Sequence, residues 1–380
     1  MYKRNFLALA IALLMFPQIA QTLYSPALGD IGSVFAVGPQ AVAQTLSVYF
    51  LAFAFGVVVW GRACDRFGRR PVMLAGLALY AVAMLIGLRV SSFNALLWVQ
   101  GLAAFGAAVG SVVTQTVLRD RFKGAELAQV FSLVGIALAA SPAIGLFSGA
   151  SLVQAFGYRG VLGALGLLAT CLWLWSWYGL AESRPQQTPV VSLSETLWRM
   201  LRDLGIWRSA AWIASFNIAL FSYYSLAPFM FQRLGLSEAW FGYSGVLLAL
   251  GSGVGAWCNK RLLLAGFAAV PLIRLAAVCG LAGGIGVWLL QDSAAFVVPM
   301  LLIVLAFGMA IPNILGQALV DYTDRLGTAG ALLGLMYYWL IGAGLMLAGW
   351  FQALGATLIA CNGVALLLTV FASKGMNCRS

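Results

Sequence analysis

The feature that most constrains this chain is a succession of apolar stretches, each about as long as a membrane span. A helix needs about 20 mostly apolar residues to cross the hydrocarbon core of a bilayer. Charged, Gly-marked or Pro-marked breaks recur near that interval along the whole sequence. The pattern predicts an all-α membrane protein with twelve transmembrane helices. We place these spans at residues 5–25, 40–61, 71–90, 95–118, 126–149, 160–180, 208–228, 240–258, 270–290, 295–318, 328–350 and 355–372.

Composition excludes the main soluble alternatives. Of the 380 residues, 62% are hydrophobic and 9% are charged, whereas about a quarter of the residues of a soluble domain are charged. The net charge of +11 would suit nucleic acid, but the Lys and Arg residues form short clusters between apolar stretches and no basic groove or tail. We therefore expect this chain to lie in a lipid bilayer and to have no nucleic-acid partner.

The longest polar stretch divides the predicted spans into two groups of six. It predicts a linker at residues 181–207, between an N-terminal six-helix bundle at 1–180 and a C-terminal six-helix bundle at 208–380. The segment Gly61-x-x-x-Asp65-Arg66 after the second span is echoed by Gly255-x-x-x-Asn259-Lys260 after the eighth. An echo in equivalent loops indicates an internal repeat, and therefore two pseudo-symmetric bundles.

Basic residues predict the orientation in the membrane, because Lys and Arg in short loops are retained on the cytoplasmic side. With both termini in the cytoplasm, the basic clusters on that side are those at residues 3–4, 62–70, 119–123, 199–202 and 260–261. The same orientation leaves Arg89, Arg159 and Arg233 outside. We expect a multi-pass protein of a bacterial inner membrane, with both termini and the 181–207 linker in the cytoplasm.

The loop after the second span carries a specific motif. Residues 61–70 read Gly-Arg-Ala-Cys-Asp-Arg-Phe-Gly-Arg-Arg and are followed by Pro71. They resemble the signature loop of the major facilitator superfamily, G-x-x-x-D-R-x-G-R-[KR]. Spaced glycines allow a tight turn, and a carboxylate there can pair with an arginine or a helix N-terminus. We predict a latch that holds one conformation, formed by Gly61, Asp65, Arg66, Gly68, Arg69 and Arg70.

Other segments resemble the bicyclomycin- and chloramphenicol-resistance branch of the drug:proton antiporters in that superfamily. They are Leu23–Leu28, Gly106–Ser111, Ser141–Gly145, Gly157-Tyr158-Arg159, Pro312-Asn313 and Gly327–Ala331. The resemblance implies a multidrug efflux protein that works by alternating access. It also implies that Pro142 and Gly145 are helix-packing positions of the antiporter motif.

Three positions depart from the pattern of that branch. The branch has an aspartate two residues before the tyrosine of the first span, where this chain has Thr22. Its arginine in the fourth span is Gln100 here, and Ser141 stands where a glycine normally precedes the proline. These changes remove charges and a small residue from places that the resemblance associates with proton coupling. The sequence therefore leaves open whether this chain couples transport to a proton gradient.

Neutral polar residues provide the candidate substrate site. All eleven acidic residues fall in predicted loops or at span ends, which argues against a protonatable carboxylate at the membrane midplane. The resemblance implies a central cavity lined by both halves, and an uncharged lining fits a neutral, zwitterionic or metal-chelated small molecule. Each such side chain could equally form a hydrogen bond between helices. The candidates are Gln18, Gln21, Thr22, Tyr24, Gln44, Gln100, Ser111, Gln115, Asn217, Tyr223, Tyr224, Asn313, Gln317, Tyr337 and Tyr338.

The leading functional hypothesis is a monomeric exporter of a small organic molecule, drug-like or siderophore-like. The alternative is an uptake permease or facilitator for a siderophore or peptide-like solute, not strictly proton-coupled. An enzyme is disfavoured, since the chain has no histidine and its six cysteines show no CxxC spacing. A sensor would need extramembrane mass that this sequence lacks. We accordingly expect no cofactor and no metal site.

Overall fold

The computed structural model describes residues 2–184 and 192–376. Residues 185–191 of the predicted linker lie outside the described residues, as does the end of the chain from 377. Within the described ranges the backbone is helical almost throughout and contains no strand. The helices are α1 (Tyr2–Tyr24), α2 (Leu28–Val34), α3 (Pro39–Phe67), α4 (Arg69–Gly87), α5 (Phe93–Arg121), α6 (Gly124–Gly179), α7 (Leu193–Leu201), α8 (Leu204–Arg233), α9 (Glu238–Leu264), α10 (Ala269–Leu290), α11 (Val297–Gln317), α12 (Leu326–Phe351) and α13 (Leu354–Met376).

The described helices account for the twelve predicted spans. Ten stretches are long and apolar enough to cross a membrane, and α13 contributes a shorter apolar stretch at Leu354–Val370. α6 is 56 residues long, about 84 Å at 1.5 Å per residue, which exceeds two hydrocarbon cores of about 30 Å each. It therefore comprises two spans, and the fold is an all-α membrane bundle.

α6 corrects the predicted break between residues 149 and 160. The helical pattern is interrupted there only at Gly157, whose φ of 64° and ψ of −168° lie outside the helical region. This φ favours glycine. The carboxylate of Asp30 on α2 accepts the Tyr158 backbone N–H at 2.6 Å, and so caps the helix that starts again after the glycine.

Two other predicted boundaries are shifted. The first span continues past Tyr24, through a 3₁₀ turn at Ser25–Ala27, into α2. α8 begins at Leu204 rather than at 208, because the Asp203 carboxylate accepts the N–H groups of Gly205 and Ile206 at 2.8 and 3.3 Å and fixes the helix start.

Helix packing follows the same plan in both halves. In the first half α5 packs against α3 and α4, and α6 packs against α1 and α4. In the second half α11 packs against α9 and α10, and α13 packs against α8 and α10. The halves meet along two seams, α3 against α12 and α6 against α9. This repetition is the pseudo-symmetry that the sequence predicts.

We call the end of the bundle that holds residues 61–71 the signature end, and the opposite end the distal end. α1 begins at the signature end, and successive spans alternate in direction. The turns at 35–38 and 234–237 therefore lie at the distal end, together with the turn at 352–353.

Candidate transport site and signature loop

A cavity of about 310 Å³ lies between the two halves. Apolar and aromatic side chains form most of its wall, and none of its lining residues within the described part of the chain is charged. The lining consists of Leu14, Pro17, Gln18, Gln21, Tyr49, Phe50, Phe53, Ser111, Gln115, Leu138, Ile213, Asn217, Phe221, Phe307, Ile311, Leu315, Tyr337 and Tyr338. Apolar pockets with a few polar groups are typical of small-molecule sites.

Both halves contribute to an aromatic wall of this cavity. The rings of Phe50 on α3 and Phe221 on α8 have centroids 4.6 Å apart. The rings of Phe53 on α3 and Tyr338 on α12 have centroids 4.9 Å apart, in an edge-to-face arrangement. These aromatic pairs bridge the halves at the cavity and offer flat apolar surfaces to a ligand.

Amide groups line the cavity mainly from the first half. Gln18 and Gln21 lie one turn apart on α1, and Gln115 projects from α5, where its Nε2 donates to the Ser111 hydroxyl at 3.4 Å. The second half contributes Asn217 from α8. The polar and aromatic sides of the cavity are therefore built largely from different helices.

The cavity extends from the middle of the bundle towards the signature end. Gln115 is two turns from the end of α5, and Leu315 is in the last turn of α11. At the distal end hydrogen bonds join the halves. Gln44 donates to the Met346 carbonyl at 3.2 Å and Gln352 to the Pro39 carbonyl at 3.4 Å. This conformation is closed at the distal end.

Other hydrogen bonds reinforce the distal closure. The Ser225 hydroxyl donates to the Ala43 carbonyl at 3.5 Å, and the Ser25 hydroxyl donates to the Tyr224 carbonyl. Gln44 and Tyr224, predicted as cavity residues, thus lie at the contact between the halves.

Seven of the predicted cavity residues line the cavity, and the structure places the others elsewhere. Tyr24 and Gln100 are buried side by side inside the first half, and Tyr223 packs against Phe241 and Ser244 inside the second. Asn313 donates to Asn259 at 2.6 Å and so joins α11 to α9. Gln317 lies in a smaller cleft at the signature end, next to Tyr322.

Thr22 lies at a helix contact and not in the cavity. Its side chain is fully buried, and its hydroxyl donates to the Gln18 carbonyl at 2.8 Å. A Cβ at Gly145 would come within 1.9 Å of the Thr22 hydroxyl oxygen. The small residue at 145 therefore lets α6 approach α1, one turn after the helix-interior Pro142.

Sequence reasoning missed the aromatic residues that α3 contributes to the cavity. Tyr49, Phe50 and Phe53 on α3 lie on one side of the helix, because residues three and four apart share a face. This spacing was a usable signal, but a search for polar side chains passes over it. The Tyr49 hydroxyl donates to the Pro17 carbonyl at 2.9 Å and so fixes the ring beside α1.

The signature loop turns between α3 and α4 at Gly68. Its φ of 99° lies in the region that favours glycine. A Cβ at this position would also lie 2.5 Å from a carboxylate oxygen of Glu182. Both backbone conformation and space therefore require a glycine at the turn.

Arg69 connects three helices at this end. It is 2% exposed, and its Nε donates to Asp120 on α5 at 2.8 Å. One of its terminal nitrogens donates to the Cys64 carbonyl at 3.1 Å and lies 3.5 Å from Asp65. A buried guanidinium is thus neutralised and hydrogen-bonded, as a buried charge requires.

Glu182 completes the loop, although sequence reasoning placed it only in the linker. Its carboxylate accepts the backbone N–H groups of Arg69 and Arg70 at 2.9 and 3.1 Å, at the positive N-terminus of α4. Partial burial acts to raise the pKa of Glu182, but the N–H donors of Arg69, Arg184, Arg70 and Ser183 outweigh it and lower this pKa.

The remaining latch candidates contact the first half. Asp65 is mostly exposed, at 62%, and the exposed Arg66 accepts a hydrogen bond from Arg184 through its carbonyl at 2.8 Å. Arg70 donates to the Trp177 carbonyl at 2.7 Å, and Gly61 faces Val112 on α5. In this conformation these contacts join α3, α4, α5 and the end of α6.

Known proteins match this chain along most of its length. The sequence profile of the Major Facilitator Superfamily matches residues 9–345. An uncharacterized transporter of Rickettsia bellii is 28% identical over 353 residues, which cover 88% of this chain and 86% of that protein. Multidrug resistance protein D of Escherichia coli is 26% identical over 346 residues, which cover 87% of this chain and 84% of that protein. A chloramphenicol resistance protein of Pseudomonas aeruginosa is 26% identical over 325 residues, which cover 84% of this chain and 77% of that protein. These relatives confirm the resemblance to the resistance branch.

Solved structures confirm the fold. A D-xylose-proton symporter superposes with a TM-score of 0.75 at 14% identity, over 98% of this chain and 97% of that chain. A bacterial homolog of the human lysosomal transporter Spinster superposes with a TM-score of 0.75 at 13% identity, over the same shares of the two chains.

Proposed function

Because this chain belongs to the Major Facilitator Superfamily, whose members are membrane transporters and not enzymes, we propose that it exports a small uncharged organic molecule by alternating access. The observation that carries this proposal is the cavity between the halves, which has aromatic and amide walls and no charged lining residue in the described part of the chain. A charged ligand would lose its hydration there without gaining a counter-charge. An uncharged ligand loses much less hydration free energy on entering this cavity.

Orientation and direction are part of the proposal. With the basic signature end in the cytoplasm, the cavity faces the cytoplasm and the distal end faces outward. A substrate would enter from the cytoplasm in this conformation and leave after the distal contacts open, as residues 1–180 and 208–380 rock against each other about the linker. The names of relatives that confer multidrug and chloramphenicol resistance support export.

Drug:proton antiport is the less favoured form of this exporter. Acidic residues such as Asp65, Asp120 and Glu182 lie at the signature end, and Asp30 and Glu238 lie at the distal end. A coupling carboxylate would be expected at the cavity, where its proton and the substrate could compete. The lining supports an exporter that moves its substrate without strict proton coupling.

Transport in proteoliposomes tests both the activity and the coupling. Purified protein of controlled orientation would be assayed for counterflow of radiolabelled chloramphenicol and of the organic cation ethidium, with and without a pH gradient. We expect counterflow of chloramphenicol, much less of ethidium, and no change when the pH gradient is collapsed. A preference for ethidium would contradict the uncharged site.

Uptake of a siderophore or peptide-like solute is the competing outcome. Without strict proton coupling the substrate moves down its concentration gradient, so a deletion strain that retains an uncharged organic compound made inside the cell would support export. A strain that fails to take up a siderophore would support the permease. Restoration of either phenotype by the wild-type gene, and not by a variant impaired in turnover, assigns the phenotype to this chain.

A further inference from the structure

The polar groups of the cavity differ in whether their hydrogen-bond donors are already used. Gln115 donates to Ser111 at 3.4 Å, and the Asn217 side chain donates to the Ile213 carbonyl at 2.7 Å. Gln21 lines the same cavity and is 4% exposed, but its amide nitrogen has no hydrogen-bond partner among the described residues. Of these three amide nitrogens, that of Gln21 is therefore the one that donates no hydrogen bond.

An unmet donor at this depth points to a ligand. A buried polar group without a partner is costly, and native proteins rarely retain one without a reason. Since Gln21 belongs to the cavity wall, whatever occupies the cavity can supply the missing partner. An amide NH₂ group only donates, so the partner must present an acceptor oxygen or nitrogen.

The surroundings of Gln21 restrict the ligand further. Gln21 lies on α1, whereas the aromatic wall formed by Phe50, Phe221 and Tyr338 lies on α3, α8 and α12. A ligand ring that packs on this wall therefore occupies the same cavity as the Gln21 amide. The uncharged lining disfavours a carboxylate or phosphate as the acceptor, which leaves neutral groups such as carbonyl, nitro and sulfonyl oxygens.

We propose that Gln21 determines substrate specificity by donating a hydrogen bond to a neutral acceptor oxygen of an uncharged aromatic substrate whose ring packs against Phe50 and Tyr338. This inference rests on the proposed function, because it names the substrate class of the same cavity. It explains why the buried Gln21 amide makes no hydrogen bond within the described residues while Gln115 and Asn217 each donate one.

Equilibrium binding in lipid nanodiscs tests the inference without requiring transport. Two uncharged aromatic probes would be used, chloramphenicol, which carries nitro and carbonyl oxygens, and N-phenyl-1-naphthylamine, which carries neither. Replacement Gln21→Met keeps the length of the side chain and removes the donor. We expect Gln21→Met to weaken chloramphenicol binding about five- to tenfold and to leave binding of the second probe within about twofold of wild type.

Matched variants separate specificity from damage to the fold. Gln115→Met removes a cavity amide that already donates one hydrogen bond, to Ser111, and Gln154→Met makes the same change at an exposed position on α6. We expect the first to weaken chloramphenicol binding by no more than about threefold and the second not to change it. Unfolding temperatures equal to wild type would show that all three variants are folded.

Two results would overturn the inference. One is equal loss of both probes in Gln21→Met, which would indicate a packing role, and the other is no binding of chloramphenicol to the wild-type protein. The first result leaves the export proposal intact if the counterflow assay shows transport of chloramphenicol, and the second leaves it intact if the uncharged N-phenyl-1-naphthylamine still binds the wild-type protein. If no transport is seen but Gln21→Met selectively weakens chloramphenicol binding, the export proposal fails and the role of Gln21 in binding stands.

Discussion

The two ends of this bundle are held together by different chemistry. At the signature end charged groups join helices of a single half, with Arg69 buried between Asp120 and Asp65. At the distal end uncharged groups join one half to the other, and the side chains of Gln44 and Gln352 donate to backbone carbonyls across the gap. Ion pairs thus connect helices within one half, while neutral hydrogen bonds connect the two halves.

The difference follows from what each end has to do. A buried ion pair that loses one partner costs about 3–5 kcal/mol, so the buried Arg69–Asp120 pair suits a contact that persists through the transport cycle, whereas the contact with the exposed Asp65 is more easily released. A neutral hydrogen bond contributes only about 0.5–1.5 kcal/mol net, so several of them can close an interface and still release it. The distal contacts are therefore the ones that a substrate-driven rearrangement can open.

The largest effect is expected at the buried arginine. Arg69→Ala leaves Asp120 at 15% exposure without its main counter-charge, and breaking such a pair costs about 3–5 kcal/mol. We expect little folded protein in mild detergent, measured by gel filtration and thermal unfolding. Retention of the wild-type unfolding temperature would contradict the assigned role.

A pair of isosteric variants sharpens the same point. Asp120→Asn and Asp65→Asn make an identical change at side chains that are 15% and 62% exposed. Asp120 also accepts a hydrogen bond from the Ser183 hydroxyl at 3.1 Å. We expect Asp120→Asn to lower the unfolding temperature clearly, and Asp65→Asn to change it little because exposed ion pairs contribute about 0–1 kcal/mol. Loss of transport in a stable Asp65→Asn protein would support the predicted latch.

The next largest effect is expected at the seam between the halves. A Cβ at Gly342 on α12 would lie 2.6 Å from the Leu51 side chain on α3 and 3.1 Å from its backbone nitrogen. Gly342→Leu should therefore wedge the seam, at about 1–3 kcal/mol for overpacking, and favour a conformation open at the distal end. Spin labels at Val34 and Trp350, in a variant without the six native cysteines, would report a longer distance.

Gly253→Leu is the matched control for that wedge. Gly253 lies on α9, and no atom lies within 4 Å of a Cβ built there. The same added side chain should leave the distance distribution unchanged. An equal shift in both variants would indicate a general disturbance of the bundle instead of a closed seam at Gly342.

How far the sequence predicts the site depends on which interaction decides each residue's place. The spans could be predicted because hydrocarbon thickness fixes their length, and the signature loop because its glycines and charges are local in sequence. Thr22 was predicted in the cavity together with Gln18, four residues earlier on the same helix. Its true place depends on Gly145, which is far away in the chain and lets α6 cover it.

Glu182 and the aromatic wall are functional features that sequence reasoning missed for the same reason, because their contacts are distant in sequence. Glu182 caps α4 from the far end of α6, and Phe50 meets Phe221 from the other half. Each contact joins residues more than a hundred positions apart, so no local pattern marks it. Local rules predict which helices form, and the packing between helices then decides which of their faces meet the substrate.

Smaller effects are expected from the neutral distal bonds. Gln352 has a φ of 53°, so Gln352→Gly removes its side-chain bond to Pro39 without straining the backbone. Gln44→Leu removes the bond to Met346. Each loss of about 0.5–1.5 kcal/mol should raise the distal-open population several-fold, and the double variant should add to it. The spin-label distances would measure the distal-open population. A double variant that stays closed at the distal end would show that these two hydrogen bonds do not hold the halves together there.

The smallest effect is expected at Glu182, and pH exposes it. Its pKa in the folded protein lies below the ordinary glutamate value of 4.5, as N–H donors stabilise the carboxylate. A group with a lowered folded pKa stabilises the fold above the unfolded pKa and loses that contribution as the pH falls through the folded pKa. Glu182→Gln should therefore lower the unfolding temperature slightly at pH 7, and the difference from wild type should vanish as the pH falls below about 4.5. Glu238→Gln at the distal end controls for the loss of one carboxylate. The effect is small because Glu182 is exposed and solvent screens its contribution. If the difference in unfolding temperature between Glu182→Gln and wild type grew on acidification, Glu182 would not be stabilising the start of α4 as an anion.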